Sequence, residues 1–164
     1  MSAIVLKHAH ALTVLTGTLV LAVSAQIQIP LQPVPITLQP TAVMVLGLFF
    51  TKRSAVQAVL VYILLGATGM PIFAGYSAGY GILMGPSAGY LLGFILAVYV
   101  MTSIKSGPFV SVILGTCSIY FCGVCWLSMS IGFPQAITLG VMPFIIPGFI
   151  KSFLLAGIAK FLKS

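Results

Sequence analysis

Apolar residues run along the chain in six blocks, at about 9 to 25, 38 to 50, 54 to 68, 86 to 104, 108 to 128 and 147 to 162. Charges, prolines and glycines separate them. A window of about 19 residues placed almost anywhere is apolar, so the surrounding medium is a bilayer. Roughly 20 residues cross the hydrocarbon core, which makes each block one transmembrane helix. The pattern predicts an all-α integral membrane protein: a compact bundle of six transmembrane helices with irregular outward-facing loops, forming one domain over residues 1–164. Several blocks are short for a span and are expected to tilt or to continue into the prolyl loops beside them.

The cations orient this bundle. Lys7 precedes the first block, Lys52 and Arg53 lie between the second and third, Lys105 lies between the fourth and fifth, and Lys160 and Lys163 end the sixth. All fall on one side, so the positive-inside rule places both termini in the cytoplasm. The opposite loops, 26 to 37, 69 to 85 and 129 to 146, carry no charge. Lys7, the first block and Val23-Ser24-Ala25 resemble a cleavable signal peptide, but the apolar run exceeds the usual signal core and is expected to remain as a span.

Composition then removes whole classes of function. The 164 residues are 60% hydrophobic and 4% charged, with no Asp or Glu, and the mean hydropathy is +1.24. No soluble surface of mixed charges can be built from that set. Proton coupling through an intramembrane carboxylate and a carboxylate-ringed cation pore are both excluded. A net charge of +7 is spread along apolar sequence and forms no basic stripe for nucleic acid.

Two outward segments interrupt the apolar pattern. The segment from Gln26 to Pro40 holds Pro30, Pro33, Pro35 and Pro40, which forbid a regular helix, together with Gln28, Gln32, Thr37 and Gln39. The segment from Gly69 to Tyr90 is rich in glycine and carries Phe73, Tyr76, Ser77, Tyr80 and Tyr90. Irregular backbone at membrane level normally lines a cavity. Neutral polar and aromatic side chains suit a small ligand with a ring that stacks and an amide-like edge that hydrogen-bonds. They equally suit two packed loops that satisfy their own backbone.

Lys151 is a sharper signal, because it sits inside the last block, near its outer end. An ammonium in an apolar helix costs about 2.5–3.5 kcal/mol, and no carboxylate side chain exists to meet it. It either snorkels to the interface or pairs with an anion from outside the chain. Other motifs are weaker. Cys122 and Cys125 form a CxxC, but Cys117 and two remote histidines do not complete a metal set, so buried cysteines acting as small hydrophobes are expected. His8 and His10 are expected to be solvated or among headgroups at the cytoplasmic entrance. No Walker A loop and no nucleophile–base set occurs, so neither catalysis nor a cofactor is expected. Small residues at four-residue spacing, Ala9, Thr13 and Gly17 on one face and Thr18 and Ala22 on another, allow close helix approach to this chain's core or to another subunit.

Taken in order, Gln28-Ile-Pro30-Leu-Gln32-Pro33-Val-Pro35-Ile-Thr37-Leu-Gln39, Gly69-Met-Pro71-Ile-Phe73-Ala-Gly75 and Gly85-Pro86-Ser87-Ala-Gly89-Tyr90-Leu-Leu-Gly93-Phe94 resemble the BioY biotin-transporter family, S components of energy-coupling-factor (ECF) transporters. Pro143-Phe144 through Lys151 extend the match. The resemblance implies six helices in a bacterial cytoplasmic membrane, biotin captured beneath the first and third outward loops, and Lys151 opposite the ligand's carboxylate. It implies that Thr18 and Ala22 dock on a membrane-embedded coupling subunit, with two ATP-binding partner subunits supplying energy. One position departs: Gly148 stands where the family often has an Asp that accepts from the ligand's ureido N–H groups. A different vitamin, or a structural subunit that binds no solute, are the alternatives.

Overall fold

The structure is a computed structural model that describes residues 3–104 and 107–162. Its helices are α1 (Ala3–Gln26), α2 (Gln39–Phe49), α3 (Lys52–Ala67), α4 (Ala88–Ser103), α5 (Pro108–Ile131), α6 (Phe133–Gly140) and α7 (Met142–Leu162). By length and apolarity three stretches, Lys7–Gln26, Pro108–Ile131 and Phe133–Phe161, can cross a membrane, and Gln39–Phe49 and Ala88–Ser103 are shorter apolar helices. The chain is an all-α membrane protein, with short helices packed among long ones.

Local chemistry sets the helix boundaries. Pro40 and Pro108 occupy the first turns of α2 and α5, where a missing N–H removes nothing from the helix. Thr51 caps α3 by accepting from the Ser54 N–H at 3.3 Å. Lys52 and Arg53 thus fall in the first turn of α3 and not in a connecting loop. Lys52 lies 3.6 Å from the centre of the Tyr99 ring, which brings the start of α3 beside the end of α4. His10 is half-buried between α1 and α3, with ring nitrogens 2.6 Å from Gln57 Oε1 and 3.0 Å from Ser54 Oγ. This corrects its expected solvated place: two polar groups on α3 draw the imidazole inward. Lys105 and Lys163 lie outside the described residues.

Between α1 and α2 the proline-rich segment folds back as a short antiparallel pair, β1 (Gln28–Ile29) and β2 (Ile36–Thr37), with Gln28 opposite Thr37. The segment between α3 and α4 forms two single 3-10 turns, Ala74–Tyr76 and Tyr80–Met84. The third outward segment differs from its expected loop: residues 133–140 are α6, begun by Pro134 in its first turn, and the last helix starts at Met142. Pro147 lies inside α7 and does not begin it. In an apolar medium neighbouring side chains and local adjustment accommodate such a proline. Consequently Lys151 is nine residues into α7, roughly 13 Å along its axis. It sits near the middle of the span, not at its outer end.

Packing divides the bundle. Leu21, Val43, Val59, Tyr62, Phe73, Tyr90, Phe94, Ile119 and Phe144 belong to a core nearer the hairpin, while Met44, Leu48, Met101, Val112, Ala156 and Ala159 fill the opposite end. Helices α4 and α5 approach closely because Gly93 has no side chain; a Cβ there would lie 2.8 Å from the Ile119 Cα. Thr18, 4% exposed, donates to the Val14 and Ala58 carbonyls at 3.0 and 3.1 Å. It therefore ties α1 to α3. Ala22, half-buried, packs on the same core.

Candidate functional site

A cavity of about 270 Å³ opens at the hairpin end, close to the low end of the roughly 300–1,000 Å³ typical of small-molecule sites. The hairpin tip roofs it with Pro33, Val34 and Pro35, and Phe73, Ala74 and Ser77 form another edge. Tyr62 of α3, Tyr90 and Phe94 of α4, Tyr120 of α5 and Phe144 of α7 supply aromatic walls. Tyr62 meets Phe73 edge-on with ring centres 5.5 Å apart, and Phe144 stands 6.2 Å from Tyr90 and 6.4 Å from Tyr120. Such offset contacts fix the rings as a rigid surface against which a flat ligand can stack.

Buried hydrogen bonds hold those walls. Gln39, 5% exposed, donates through Nε2 to Tyr62 Oη at 2.8 Å, and Tyr62 donates onward to the Ile72 carbonyl at 3.2 Å. Thr37 Oγ1 donates to Gln39 Oε1 and accepts from its N–H, both at 3.3 Å. Tyr90 donates to the Gly140 carbonyl at 2.7 Å, tying α4 to the end of α6. Tyr120 donates to the Phe144 carbonyl at 3.1 Å. With their protons directed at backbone, the Tyr90 and Tyr120 oxygens retain accepting capacity.

Beyond this chamber lies a recess of about 20 Å³, lined by Thr41, Met44, Thr116, Gly148 and Lys151 among others. Thr37, Pro40, Ile119, Tyr120 and Phe144 border both spaces. Lys151 therefore lines the recess that adjoins the aromatic chamber, in a chain with no carboxylate side chain to neutralise it.

Of the residues expected from sequence, Thr37, Gln39, Phe73, Ser77 and Tyr90 line the chamber, and Thr37, Gly148 and Lys151 line the recess. Four do not line either space. Tyr76 and Tyr80 are 72% and 63% exposed, because the two 3-10 turns aim them outward. Gln32 is exposed, and the amide nitrogen of Gln28 lies 2.8 Å from the position of a Cβ on Gly75, so it packs the loops together. The hairpin roof is apolar instead of polar.

Sequence reasoning missed Tyr62, Tyr120, Phe144 and Gln26. Gln26 ends α1, and its amide donates to the Ile72 and Phe73 carbonyls at 3.2 and 3.1 Å and accepts from the Tyr76 N–H at 3.0 Å. One side chain thus fixes the loop that carries Phe73 and Ser77. A signal was present for the tyrosines: a phenol inside an apolar span needs a partner and seldom serves only as filling.

An apolar helical bundle that holds aromatic rings, neutral hydrogen-bonding groups and a half-buried lysine around one cavity and its recess is the architecture of a membrane protein that captures a small solute. The model of the BioY family matches residues 1–164, and the chain belongs to that family. It is 37% identical over 133 residues to a probable biotin transporter BioY of Pyrococcus horikoshii, covering 80% of this chain and 82% of the relative. With the biotin transporter BioY of Thermotoga maritima the identity is 39% over 153 residues, 89% and 90% of the two chains. The fold matches a crystal structure, at 2.1 Å, of the S-component for biotin from an ECF-type ABC transporter. The TM-score is 0.84 at 24% identity, over 99% of this chain and 94% of the other.

Proposed function

We propose that this protein takes up biotin across the cytoplasmic membrane as the substrate-binding S component of an ECF-type ABC transporter. The observation that carries the reading is the pairing of an aromatic chamber with Lys151 in the recess that adjoins it. An uncharged bicyclic ring suits the chamber, and an acid on a short aliphatic tail suits an ammonium that has no internal counterion. Membership of the BioY family and the biotin transporters among its relatives support the same assignment.

Binding needs no catalytic group in this scheme. The Pro33–Pro35 roof closes over the ring, Phe73, Tyr90 and Phe144 sandwich it, and the Tyr90 and Tyr120 oxygens accept from ring N–H groups. These neutral acceptors do the work that an Asp at position 148 would do by charge. Both termini face the cytoplasm, the side on which Lys7, Lys52, Arg53 and Lys160 gather. A membrane-embedded coupling subunit and two ATP-binding subunits complete the transporter. Since Thr18 is turned into the bundle, contact with that subunit falls to the exposed α1 positions Leu12, Leu15, Leu19 and Val23.

Uptake of labelled biotin by cells that carry this chain with an ECF module tests the reading. Accumulation that other vitamins do not compete for supports it. Accumulation suppressed by a different vitamin instead of biotin refutes the substrate.

A further inference from the structure

The recess behind the chamber brings together two polar groups that the rest of the protein leaves unanswered. Thr41 Oγ1 is the one buried side-chain nitrogen or oxygen atom without a hydrogen-bond partner among the described residues. Lys151 lines the same recess, and the sequence holds no Asp or Glu for it to meet. A buried hydroxyl without a partner is unusual enough in a folded protein to require a reason.

Threonines inside other helices sharpen the contrast. Thr13, Thr16, Thr18, Thr102 and Thr116 all donate to the carbonyl four residues earlier. Thr41 stands in the first turn of α2, and the residue four before it, Thr37, belongs to β2. No helical carbonyl lies behind Thr41, so its proton is free for something else.

We propose that Thr41 is a ligand-binding residue, donating its hydroxyl proton to the carboxylate that Lys151 neutralises. The recess is then the acid-binding end of the site. Its volume of about 20 Å³ admits one water-sized atom, which fits a single carboxylate oxygen. The other oxygen and the aliphatic tail stay in the larger chamber, across the border formed by Thr37, Tyr120 and Phe144. The ligand class follows: a neutral ring carried on a tail that ends in an acid, with the acid recognised by one charged and one neutral donor. This inference rests on the biotin reading and adds a residue to its site.

The test compares biotin with its neutral amide, titrated into the full detergent-solubilised chain as wild type, Thr41→Val, Thr41→Ser and Lys151→Ala. Thr41→Val is expected to weaken biotin about tenfold or more, and to weaken the amide, whose neutral carbonyl accepts the same proton less strongly, by a clearly smaller factor. Thr41→Ser retains the donor and is expected to stay within about threefold of wild type. Because the hydroxyl has no partner in the unliganded protein, Thr41→Val is expected not to lower the melting temperature. Equal losses for acid and amide, or unaltered biotin binding by Thr41→Val, overturn the assignment; the second result means the recess holds only water. Failure of the wild type to bind biotin at all is a separate outcome that refutes the biotin reading, and this inference with it.

Discussion

The Tyr120 hydroxyl occupies the space that a side chain at Gly148 would take: a Cβ built there lies 2.7 Å from Tyr120 Oη, while the next ring atom, Cζ, is 3.9 Å away. The same hydroxyl donates to the Phe144 carbonyl, so α5 and α7 meet at the border of chamber and recess through one atom. Gly148→Ala therefore collides with that oxygen and with nothing else in reach. We expect it to weaken biotin binding about tenfold by displacing the hydroxyl, an overpacking penalty of about 1–3 kcal/mol. Tyr120→Phe removes the collision, so adding Gly148→Ala to Tyr120→Phe is expected to change affinity by less than about twofold. A double-mutant cycle read by titration calorimetry checks this, and additive losses contradict it.

The buried pair Gln39 and Tyr62 holds one wall of the chamber. Tyr62→Phe removes the acceptor for the Gln39 amide and the donor to the Ile72 carbonyl. Leaving these groups unpaired is expected to destabilise the protein by about 1–3 kcal/mol. Thermal unfolding in detergent measures it, with Tyr62→Phe combined with Gln39→Leu expected to be milder than the sum of the single changes.

Gln26 predicts a local effect in place of a global one. Gln26→Leu unties three backbone groups of the 72–76 loop from α1. Hydrogen exchange is expected to accelerate at Phe73 to Ser77 while the α4 and α5 amides stay protected. Biotin affinity is expected to fall with it, because Phe73 and Ser77 lose their fixed positions. Uniform acceleration across the bundle would contradict this role.

Thr18 separates stability from assembly. Thr18→Val loses the bond to the Ala58 carbonyl and is expected to lower stability by about 1 kcal/mol. Co-purification with the coupling subunit is expected to survive, because the side chain is buried against α3. Retained stability with lost co-purification would restore Thr18 to a docking role.

Periodicity alone revealed most of the helices, because an all-apolar stretch has few ways to satisfy its backbone in a bilayer. It misplaced the last outward segment: a loop is expected over 129 to 146 and the last helix from 147, yet Pro134 lies in the first turn of α6, Pro143 in the first turn of α7, and Pro147 is tolerated inside it. At the site, Lys151, Thr37, Gln39, Phe73, Ser77 and Tyr90 were legible because polarity or loop context marked them. Gln28, Gln32, Tyr76 and Tyr80 carried the same mark and point elsewhere, since composition does not give the direction of a side chain on an irregular turn. Tyr62, Tyr120 and Thr41 were hidden among helix residues, where only tertiary packing determines which face meets the cavity. The Gly148 position looked like a missing group, and its seat is filled by a hydroxyl 28 residues earlier in the chain.

The central claim is that the chamber holds biotin with its acid against Lys151. Calorimetric titration of biotin into the purified, folded chain tests it most directly, with Lys151→Ala and a second vitamin alongside. The account predicts saturable binding of biotin alone, weakened at least about tenfold by the substitution, in line with the loss of one partner from a buried charge pair. Biotin binding that is indifferent to Lys151→Ala, or no biotin binding by a folded wild-type protein, would contradict it.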